Sequence, residues 1–301
     1  MNQPNKPPVL AVFDSGVGGL TVLRELLKLI PYAKYLYLGD TARLPYGSKS
    51  KTTIVRYAVE AARFLERQQA DLLVVACNTA TALALEELQA ALRIPVVGVI
   101  QPGARAAVAA LEEKQGLARD EEDHFLHLIK HKNHSNKNTC LVLATAATVS
   151  SHAYAEALAA VGVDTVEKSC PLLVPLIEEG WTDHRITREV LRIYLEESLD
   201  DSPVDVLLLG CTHYPLIRDE VRATLRQMGS FIPVVDSATS TAEAVRELLA
   251  QRSAEIPQED GESAEPQLRF FATDSVERFR KLGSRFLGMQ LPTVERLDLE
   301  S

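Results

Sequence analysis

The sequence predicts an α/β fold of two similar lobes, each a parallel sheet flanked by helices, with the active site in the cleft between them. Short, uniformly apolar runs alternate with Ala-, Leu- and Glu-rich stretches, as in parallel sheets that helices cover on both faces. The length of 301 residues suits about two domains. An internal repeat indicates that the two halves of the chain are related.

Predicted strands and helices alternate from the start of the chain. The first half has strands at residues 9–13, 35–38, 72–76 and 95–99, with helices at residues 21–29, 51–67 and 79–92. The second half has strands at residues 140–144, 165–168, 204–209 and 231–235. A last strand at residues 268–272 and an amphipathic helix at residues 275–287 follow. Such alternation implies two parallel sheets with helices on both faces.

The internal repeat joins residues 71–79 and 205–213, which correspond residue for residue. Each segment has an acidic residue, four branched apolar residues, one small residue, a cysteine and two polar residues. Two buried strands can share apolar residues by chance, but the small–Cys–polar–polar ending is not a general property of strands. The repeat therefore predicts two related α/β halves that face one another.

Two polar segments interrupt this pattern. Residues 116–138 are charged, contain four of the seven histidines and show no strand pattern, so we expect an insertion before the first strand of the second lobe. Residues 253–267 are rich in Glu, Pro, Ser and Gly, which predicts a surface loop.

Composition excludes several classes of function. The chain has 32 Lys plus Arg against 41 Asp plus Glu, a net charge of −9, and no run of basic residues, so no nucleic-acid partner is expected. No apolar stretch approaches the ~18 residues of a membrane span, and residues 1–8 are too polar for a signal peptide. We therefore expect a cytoplasmic protein that does not bind membranes and whose cysteines are reduced.

The four cysteines are the main functional question. None belongs to a CxxC pair, so neither a zinc knuckle nor a thioredoxin-type motif is present, and each is either a buried apolar residue or a reactive thiol. Cys77 and Cys211 follow matching strands, each before a predicted helix whose N-terminus favours a thiolate. Two such thiols could flank one small substrate. Cys140 and Cys170 lack this context and are interpreted as structural.

Other polar residues follow the predicted strands. Asp14 and Ser15 begin a Gly-rich turn that suits a small anion, although a turn whose Asp caps the helix remains an alternative. The turn fits neither the dinucleotide pattern, because residue 21 is Thr, nor the Walker A pattern. The remaining candidates are Asp40, the Pro45-Tyr46-Gly47 turn, Thr145, Thr148 and His213, which could act as an acid or base beside Cys211.

The histidine-rich segment allows two interpretations. His124, His127, His131 and His134 have helical spacing and could lie along one face. They have no acidic or cysteine partner of matching period, so a solvated surface segment is expected rather than a metal site.

The combined motifs resemble the cofactor-independent glutamate racemases of bacterial peptidoglycan synthesis, in the aspartate/glutamate racemase superfamily. The matching segments are residues 13–20, 39–40, 45–47, 76–80, 144–148, 170–178 and 210–216. They occur in the family's order and cover most of the chain. Aspartate racemases look similar in the cysteine segments but typically have Glu where this chain has His213. The two polar segments are departures, as is Ala144, where the family often has Gly.

The resemblance implies a two-base racemisation that supplies D-glutamate for peptidoglycan, with no cofactor and no metal. In the family the first-half cysteine, here Cys77, usually deprotonates D-glutamate and the second-half cysteine, here Cys211, deprotonates L-glutamate. Asp14 would assist Cys77, while His213 and Glu178 would assist Cys211. The implied substrate-binding residues are Asp14, Ser15, Asp40, Pro45, Tyr46, Gly47, Cys77, Asn78, Thr79, Thr145, Thr148, Cys211, Thr212 and His213.

The resemblance also implies a domain organisation and an assembly. The first lobe would comprise residues 1–100 plus 237–301, completed by the C-terminal strand, and the second lobe residues 101–236 with the insertion at about 116–138. A homodimer is expected, because family members are commonly dimeric.

Three other functions remain open from the sequence. A racemase of the same superfamily could act on another amino acid such as aspartate. A two-lobed anion-binding or sensor protein would share the fold, but paired cysteines would serve no purpose in it. A cysteine hydrolase would use one thiol and one histidine, which leaves Cys77 unexplained.

Overall fold

The structure is a computed structural model that describes residues 7–120, 138–199, 203–252 and 267–299. The strands are β1 (Val9–Asp14), β2 (Lys34–Gly39), β3 (Leu72–Val75), β4 (Val96–Gly98), β5 (Thr139–Ala144), β6 (Asp164–Ser169), β7 (Val206–Gly210), β8 (Val234–Asp236), β9 (Leu268–Ala272) and β10 (Val294–Arg296). The helices are α1 (Leu20–Leu29), α2 (Lys51–Arg67), α3 (Asn78–Ala91), α4 (Ile100–Asp120), α5 (Ala146–Ser151), α6 (Ala153–Ala159), α7 (Leu173–Glu178), α8 (Arg185–Leu199), α9 (Arg218–Gln227), α10 (Ser237–Arg252) and α11 (Val276–Leu287).

These strands form two sheets, and every strand pair is parallel. The first sheet has the order β10-β9-β2-β1-β3-β4, and the second has the order β6-β5-β7-β8. All six residues of β1 are buried, as its uniformly apolar sequence requires. The predicted fold class, two parallel sheets flanked by helices, is confirmed.

The C-terminal segment returns to the first sheet. In β9, Leu268 pairs with Tyr35 and Ala272 pairs with Gly39 of β2. This strand from the end of the chain therefore lies between β2 and the edge strand β10. The helix α11 then covers the sheet with a buried face that includes Phe279 and Phe286. Residues near the end of the chain thereby lie beside residues near its start.

Burial explains how the two sheets hold their relative position. A single hydrophobic cluster contains Val12 and Tyr37 of the first sheet together with Leu141 and Leu209 of the second. Helix α10 packs against both α1 and α4. Because packed interiors resist deformation, this shared core fixes where the two sets of strand ends meet.

The observed elements differ from the predicted ones in a few places. The strand predicted at residues 231–235 is observed as the shorter β8, Val234–Asp236. Phe231 lies outside it and is 81% exposed, so the apolar run begins before the strand does. Strand β10 was not predicted, since two of its three residues are the exposed Glu295 and Arg296. Helix α4 continues through residue 120, so residues 116–120 extend a helix.

Other predicted segments lie outside the described residues. They include most of the expected insertion, with His124, His127, His131 and His134, and nearly all of the polar loop at residues 253–267. Among the helices that the structure describes, none is both long enough and apolar enough to cross a membrane.

Candidate functional site

A cavity of about 620 Å³ lies where the carboxyl ends of the two sheets face each other, the usual ligand position in parallel α/β proteins. Cys77, after β3, and Cys211, after β7, both line it. The strands that precede them are the two halves of the sequence repeat. The structure therefore brings together the two cysteines that the repeat singled out, one from each sheet.

Cys77 is held by groups of the first sheet. It is the N-cap of α3, and its Sγ accepts the Ala80 N–H at 3.5 Å. The same sulfur lies 3.5 Å from the hydroxyl oxygen of Ser15, which follows β1. Burial, reinforced by the nearby Asp14, raises the pKa of the Cys77 thiol to about 12, and the hydrogen bonds from Ser15 and Ala80 oppose the rise only in part.

The helix N-terminus lowers the pKa of Cys77, in the direction that the sequence predicts, but burial outweighs this effect. The N-terminal N–H does contact the sulfur, as the sequence predicts. However, desolvation of a fully buried thiolate costs more than the hydrogen bonds with Ser15 and Ala80 recover. Cys77 is consequently a thiol at neutral pH and is suited to donate a proton.

Asp14 lies behind Cys77 rather than in the cavity wall. It is 1% exposed, its Oδ2 accepts the Gly16 N–H at 2.8 Å, and its Oδ1 has no partner among the described residues. Burial raises the pKa of Asp14, against the lowering effects of His213 and of the N–H groups of Gly16 and Gly19. A buried carboxyl group with an unused oxygen next to a thiol is placed to exchange a proton with it.

Cys211 has a different environment. Its Sγ lies 4.0 Å from Nδ1 of His213, and Nε2 of His213 lies 3.2 Å from Oε1 of Glu178. Burial lowers the pKa of His213, but the hydrogen bonds to Cys211 and Glu178 outweigh it and raise the pKa to about 10. The His213 contact also lowers the pKa of Glu178 against its partial burial, with help from Arg278. The His213 imidazolium therefore lies between the Cys211 sulfur and the Glu178 carboxylate.

The chain after Cys211 differs from the predicted helix start. Cys211 lies at a bend and is followed by a turn and by a 3-10 helix at Tyr214–Ile217, and helix α9 begins only at Arg218. The expected N-terminal helix charge is therefore not adjacent to Cys211, and His213 is the nearby positive charge instead.

Side chains from both lobes meet at the floor of the cavity. The Thr79 hydroxyl lies 3.0 Å from that of Thr145 and 3.1 Å from that of Thr148. The Tyr154 hydroxyl, carried by α6, donates to Oδ1 of Asn78 at 2.6 Å. The Asn78 side-chain nitrogen has no partner among the described residues. This arrangement leaves an amide donor for a carboxylate.

Asp40 organises the turn at residues 45–47 from behind. Its carboxylate accepts hydrogen bonds from the Tyr46 hydroxyl at 2.5 Å, from the Thr273 hydroxyl at 2.9 Å and from Arg43 at 2.8 Å. Asp40 itself is fully buried. The Tyr46 hydroxyl, expected to bind a ligand, is therefore occupied by Asp40, and Tyr46 contributes its ring and backbone to the cavity wall.

Most of the predicted site residues meet at this one cavity. Those that line it are Ser15, Pro45, Tyr46, Gly47, Cys77, Asn78, Thr79, Thr145, Glu178, Cys211, Thr212 and His213. Asp14, Asp40 and Thr148 are buried behind the wall: Asp40 is hydrogen-bonded to Tyr46 and Thr148 to Thr79, whereas the Asp14 carboxylate accepts from Gly16. The sequence interpretation missed Tyr154 and Arg278, because each acts through a contact with a residue far away in the sequence and neither belongs to a recognisable local motif.

The remaining cysteines are buried, as expected of structural residues. Cys140 lies inside β5 and is fully buried. Cys170 borders the cavity, but its side chain is fully buried and its Sγ lies 3.6 Å from the Lys168 carbonyl oxygen. Within the described part of the chain, no group of three His, Cys, Asp or Glu side chains is placed to hold a metal ion.

A second cavity, of about 700 Å³, lies between α3, α4, α6 and α10. It is slightly larger, but none of the predicted site residues lines it. We locate the candidate site in the cleft between the sheets, because the paired thiols and the buried titratable groups converge there.

Known proteins resemble this chain over nearly all of its length. The family model described as Asp/Glu/Hydantoin racemase matches residues 21–118 and 124–245. The glutamate racemase of Koribacter versatilis is 47% identical over 311 aligned residues, which cover 97% of this chain and 98% of that protein. Two solved structures are similar across 98% of this chain: glutamate racemase from Francisella tularensis in complex with D-glutamate (31% identity, 98% of that chain, TM-score 0.79) and glutamate racemase RacE1 from Bacillus anthracis (34% identity, 99% of that chain, TM-score 0.81).

Proposed function

The chain belongs to the Asp/Glu/hydantoin racemase family and is an amino-acid racemase, and on that basis we propose that it interconverts L- and D-glutamate with Cys77 and Cys211 as its two bases. The observation that carries the proposal is the convergence of both thiols on one cavity from equivalent strand ends of two sheets. A reaction whose substrate and product are mirror images needs a proton acceptor and a proton donor on opposite faces of one carbon, which such a pair supplies.

The proposed reaction in the L-to-D direction begins at Cys211. The step requires the thiolate form of Cys211, which the adjacent His213 imidazolium stabilises, and this thiolate takes the α-proton of L-glutamate. The Cys77 thiol, whose pKa of about 12 keeps it protonated at neutral pH, gives its own proton to the opposite face of the α-carbon. The products are D-glutamate, a Cys211 thiol and a Cys77 thiolate. Asp14 is placed to return a proton to Cys77.

The cavity offers hydrogen-bond donors for the negative charge that develops during this reaction. The α-proton of an amino acid is very weakly acidic, so the carbanionic transition state needs preorganised donors. The donors available are the Asn78 amide nitrogen and the hydroxyl groups of Ser15, Thr79, Thr145 and Thr212. In this proposal Thr148, Asp40 and Asp14 act indirectly, through the residues that line the cavity.

Glutamate is favoured over aspartate because relatives 42% and 47% identical to this chain are named glutamate racemases and one similar structure holds D-glutamate. The alternative reading as a cysteine hydrolase is not favoured, because it gives no role to Cys77, which lines the same cavity. Exchange of the α-proton with deuterated water, compared for L-glutamate and L-aspartate, distinguishes the two substrates. Faster exchange for aspartate would replace the proposed substrate.

We also propose the wider context that the resemblance implies: cytoplasmic supply of D-glutamate for peptidoglycan by a homodimer. The lobes would comprise residues 1–100 plus 237–301 and residues 101–236. The pairing of β9 with β2, and of β10 with β9, supports the assignment of the C-terminal segment to the first lobe. Light scattering of the purified protein measures the oligomeric state, and a monomer would remove the dimer from the proposal.

The decisive test replaces each cysteine. We expect Cys77→Ser and Cys211→Ser to lower the rate of glutamate racemisation by roughly 10³-fold or more, because a serine hydroxyl is a far weaker base than a thiolate. Circular dichroism should show an unchanged fold. Cys140→Ala is the matched control: it removes another buried thiol, one outside the cavity, and should keep the activity. Racemisation at the wild-type rate by either serine variant would disprove the two-base assignment.

A further inference from the structure

A helix of the first lobe supports the base of the second lobe. Along α11, Arg278, Arg285 and Phe286 occupy positions i, i+7 and i+8, which lie on one helical face. Arg278 donates to Oε2 of Glu178 at 3.1 Å, and Arg285 donates to the Glu178 carbonyl oxygen at 2.7 Å. The Phe286 ring meets the His213 ring edge-on, with centroids 5.0 Å apart and an interplanar angle of 79°. The same helix face therefore contacts both His213, which lies beside Cys211, and Glu178, which is bonded to His213.

These contacts leave Glu178 few alternative positions. One carboxylate oxygen faces His213 and the other faces Arg278, while Arg285 holds the backbone of the same residue. Gly180 makes room for this arrangement, because a Cβ at that position would overlap the Arg285 guanidinium. Gly180 also has a φ of +84°, a conformation that glycine adopts without strain.

We propose that Arg278 and Arg285, with Phe286, are positioning residues for the second base: they hold Glu178 and His213 in line with Cys211 from the opposite lobe. Because α11 and Glu178 belong to opposite sides of the cleft, the Cys211 base is complete only when the two lobes are in contact. The inference rests on the proposed two-cysteine function and names the part of the chain that assembles one of its bases.

A positioning role and a simple charge effect predict opposite shifts of the His213 pKa. The charged and titratable groups that face His213 are Cys211, Glu178 and, across the cleft, Asp14, with Arg278 beyond Glu178. If Arg278 acts only through its charge, its removal takes away a repelling cation and raises the His213 pKa. If it positions Glu178, its removal loosens the carboxylate that stabilises the imidazolium, and the pKa falls.

The experiment compares Arg278→Gln, Arg285→Gln and the double variant with the control Arg280→Gln. Arg280 lies on the same helix and its replacement removes the same charge, but among the described residues its guanidinium is bonded to Glu277 of its own helix and not to Glu178. The His213 pKa is followed in the free protein by proton NMR, with its ring signal assigned by comparison with His213→Gln. Measurement without substrate separates this effect from any contact of Arg278 with the substrate, because Arg278 also lines the cavity.

We expect the double variant to lower the His213 pKa by about one unit and kcat by roughly tenfold, with smaller shifts in each single variant. The control should match the wild type, and Arg278→Lys should recover part of the loss, because lysine restores the charge but not the planar donor geometry. Should Arg285→Gln fail to fold, Arg278→Gln carries the test alone, since its side chain is 65% exposed.

An unchanged or raised His213 pKa in the folded arginine variants would overturn the inference. The serine variants of Cys77 and Cys211 keep this failure separate from that of the proposed function. If both serine variants are inactive while the arginine variants behave like the control, only the positioning role is wrong. If a serine variant racemises glutamate normally, the two-base function itself is wrong.

Discussion

The surroundings of Cys77 and Cys211 differ although the two cysteines occupy equivalent positions in a repeated sequence. The groups that contact Cys77 come from its own lobe: Ser15 after β1 and the first turn of α3, with Asp14 behind them. Cys211 has a histidine–carboxylate pair that is completed by an arginine of the other lobe. A buried carboxyl group supports one base, and an imidazolium supports the other.

This difference shows that a symmetric reaction does not require symmetric support. The two enantiomers of glutamate have equal free energies, so kcat/KM must be the same in both directions whatever the enzyme contains. The two bases can therefore be tuned by different means as long as each can both take and give a proton. The repeat fixes where the thiols lie, and the neighbouring residues determine how each one is protonated.

The largest effect that tests this comparison is expected from replacing one supporting group at a time. His213→Gln removes the cation beside Cys211, and Asp14→Asn keeps the hydrogen bond to Gly16 but removes a group that can exchange protons with Cys77. Each change should lower kcat/KM by about 10²-fold, equally in both directions. Stopped assays with L- and D-glutamate measure this loss.

Isotope effects show which base each change affects. Glutamate deuterated at the α-carbon reacts more slowly when removal of that deuteron limits the rate. Under the proposed assignment of Cys211 to L-glutamate and Cys77 to D-glutamate, His213→Gln should raise the isotope effect for L-glutamate, and Asp14→Asn should raise it for D-glutamate. A rise for the same enantiomer in both variants would contradict separate support of the two thiols.

The residues near each strand end were predictable because one local pattern locates them. A uniformly apolar run that ends in a small residue marks a strand terminus, and Cys77 and Cys211 follow such runs directly. Parallel sheets bring those termini to one edge. The protonation of Cys77 was not predictable in this way, since the helix N-terminus is visible in the sequence and the depth of burial that outweighs it is not.

Contacts between the lobes could not be read from the sequence. Tyr154 contacts Asn78 across 76 positions, and Arg278 contacts Glu178 across 100. Both pairs depend on how two complete sheets pack together, which no local pattern encodes. Residues that position the site from a distance are thus the part of the structure that adds most to the sequence interpretation.

A smaller effect is expected from Tyr154 and Asn78, which join the two lobes at the floor of the cavity. Tyr154→Phe keeps the buried ring and removes only the hydroxyl that orients Asn78. Without that donor, the Asn78 amide can rotate and present its oxygen to a substrate carboxylate. We expect KM for both enantiomers to rise about fivefold, the value of one hydrogen bond, with little change in kcat. Steady-state kinetics in both directions test this. A large fall in kcat with unchanged KM would assign Tyr154 to the chemistry instead.

The smallest effect concerns how the free energy of unfolding depends on pH. It distinguishes the surroundings of Cys211 from those of Cys77 without any substrate. The raised His213 pKa stabilises the folded state fully below the unfolded value of about 6.5, and this contribution is lost as the pH rises towards 10. The lowered Glu178 pKa acts in the opposite sense, and its contribution is lost as the pH falls below about 4.5.

The Cys77 thiol weakens the fold only above about pH 9, where the thiol of the unfolded chain ionises. The free energy of unfolding should therefore fall between pH 6.5 and 9 through His213 alone among these three groups, and His213→Gln should abolish about 3 kcal/mol of that fall. Urea unfolding at pH 6 and pH 9 measures it; an equally steep loss of stability in His213→Gln would show that the imidazolium is not held by Glu178 in the folded protein.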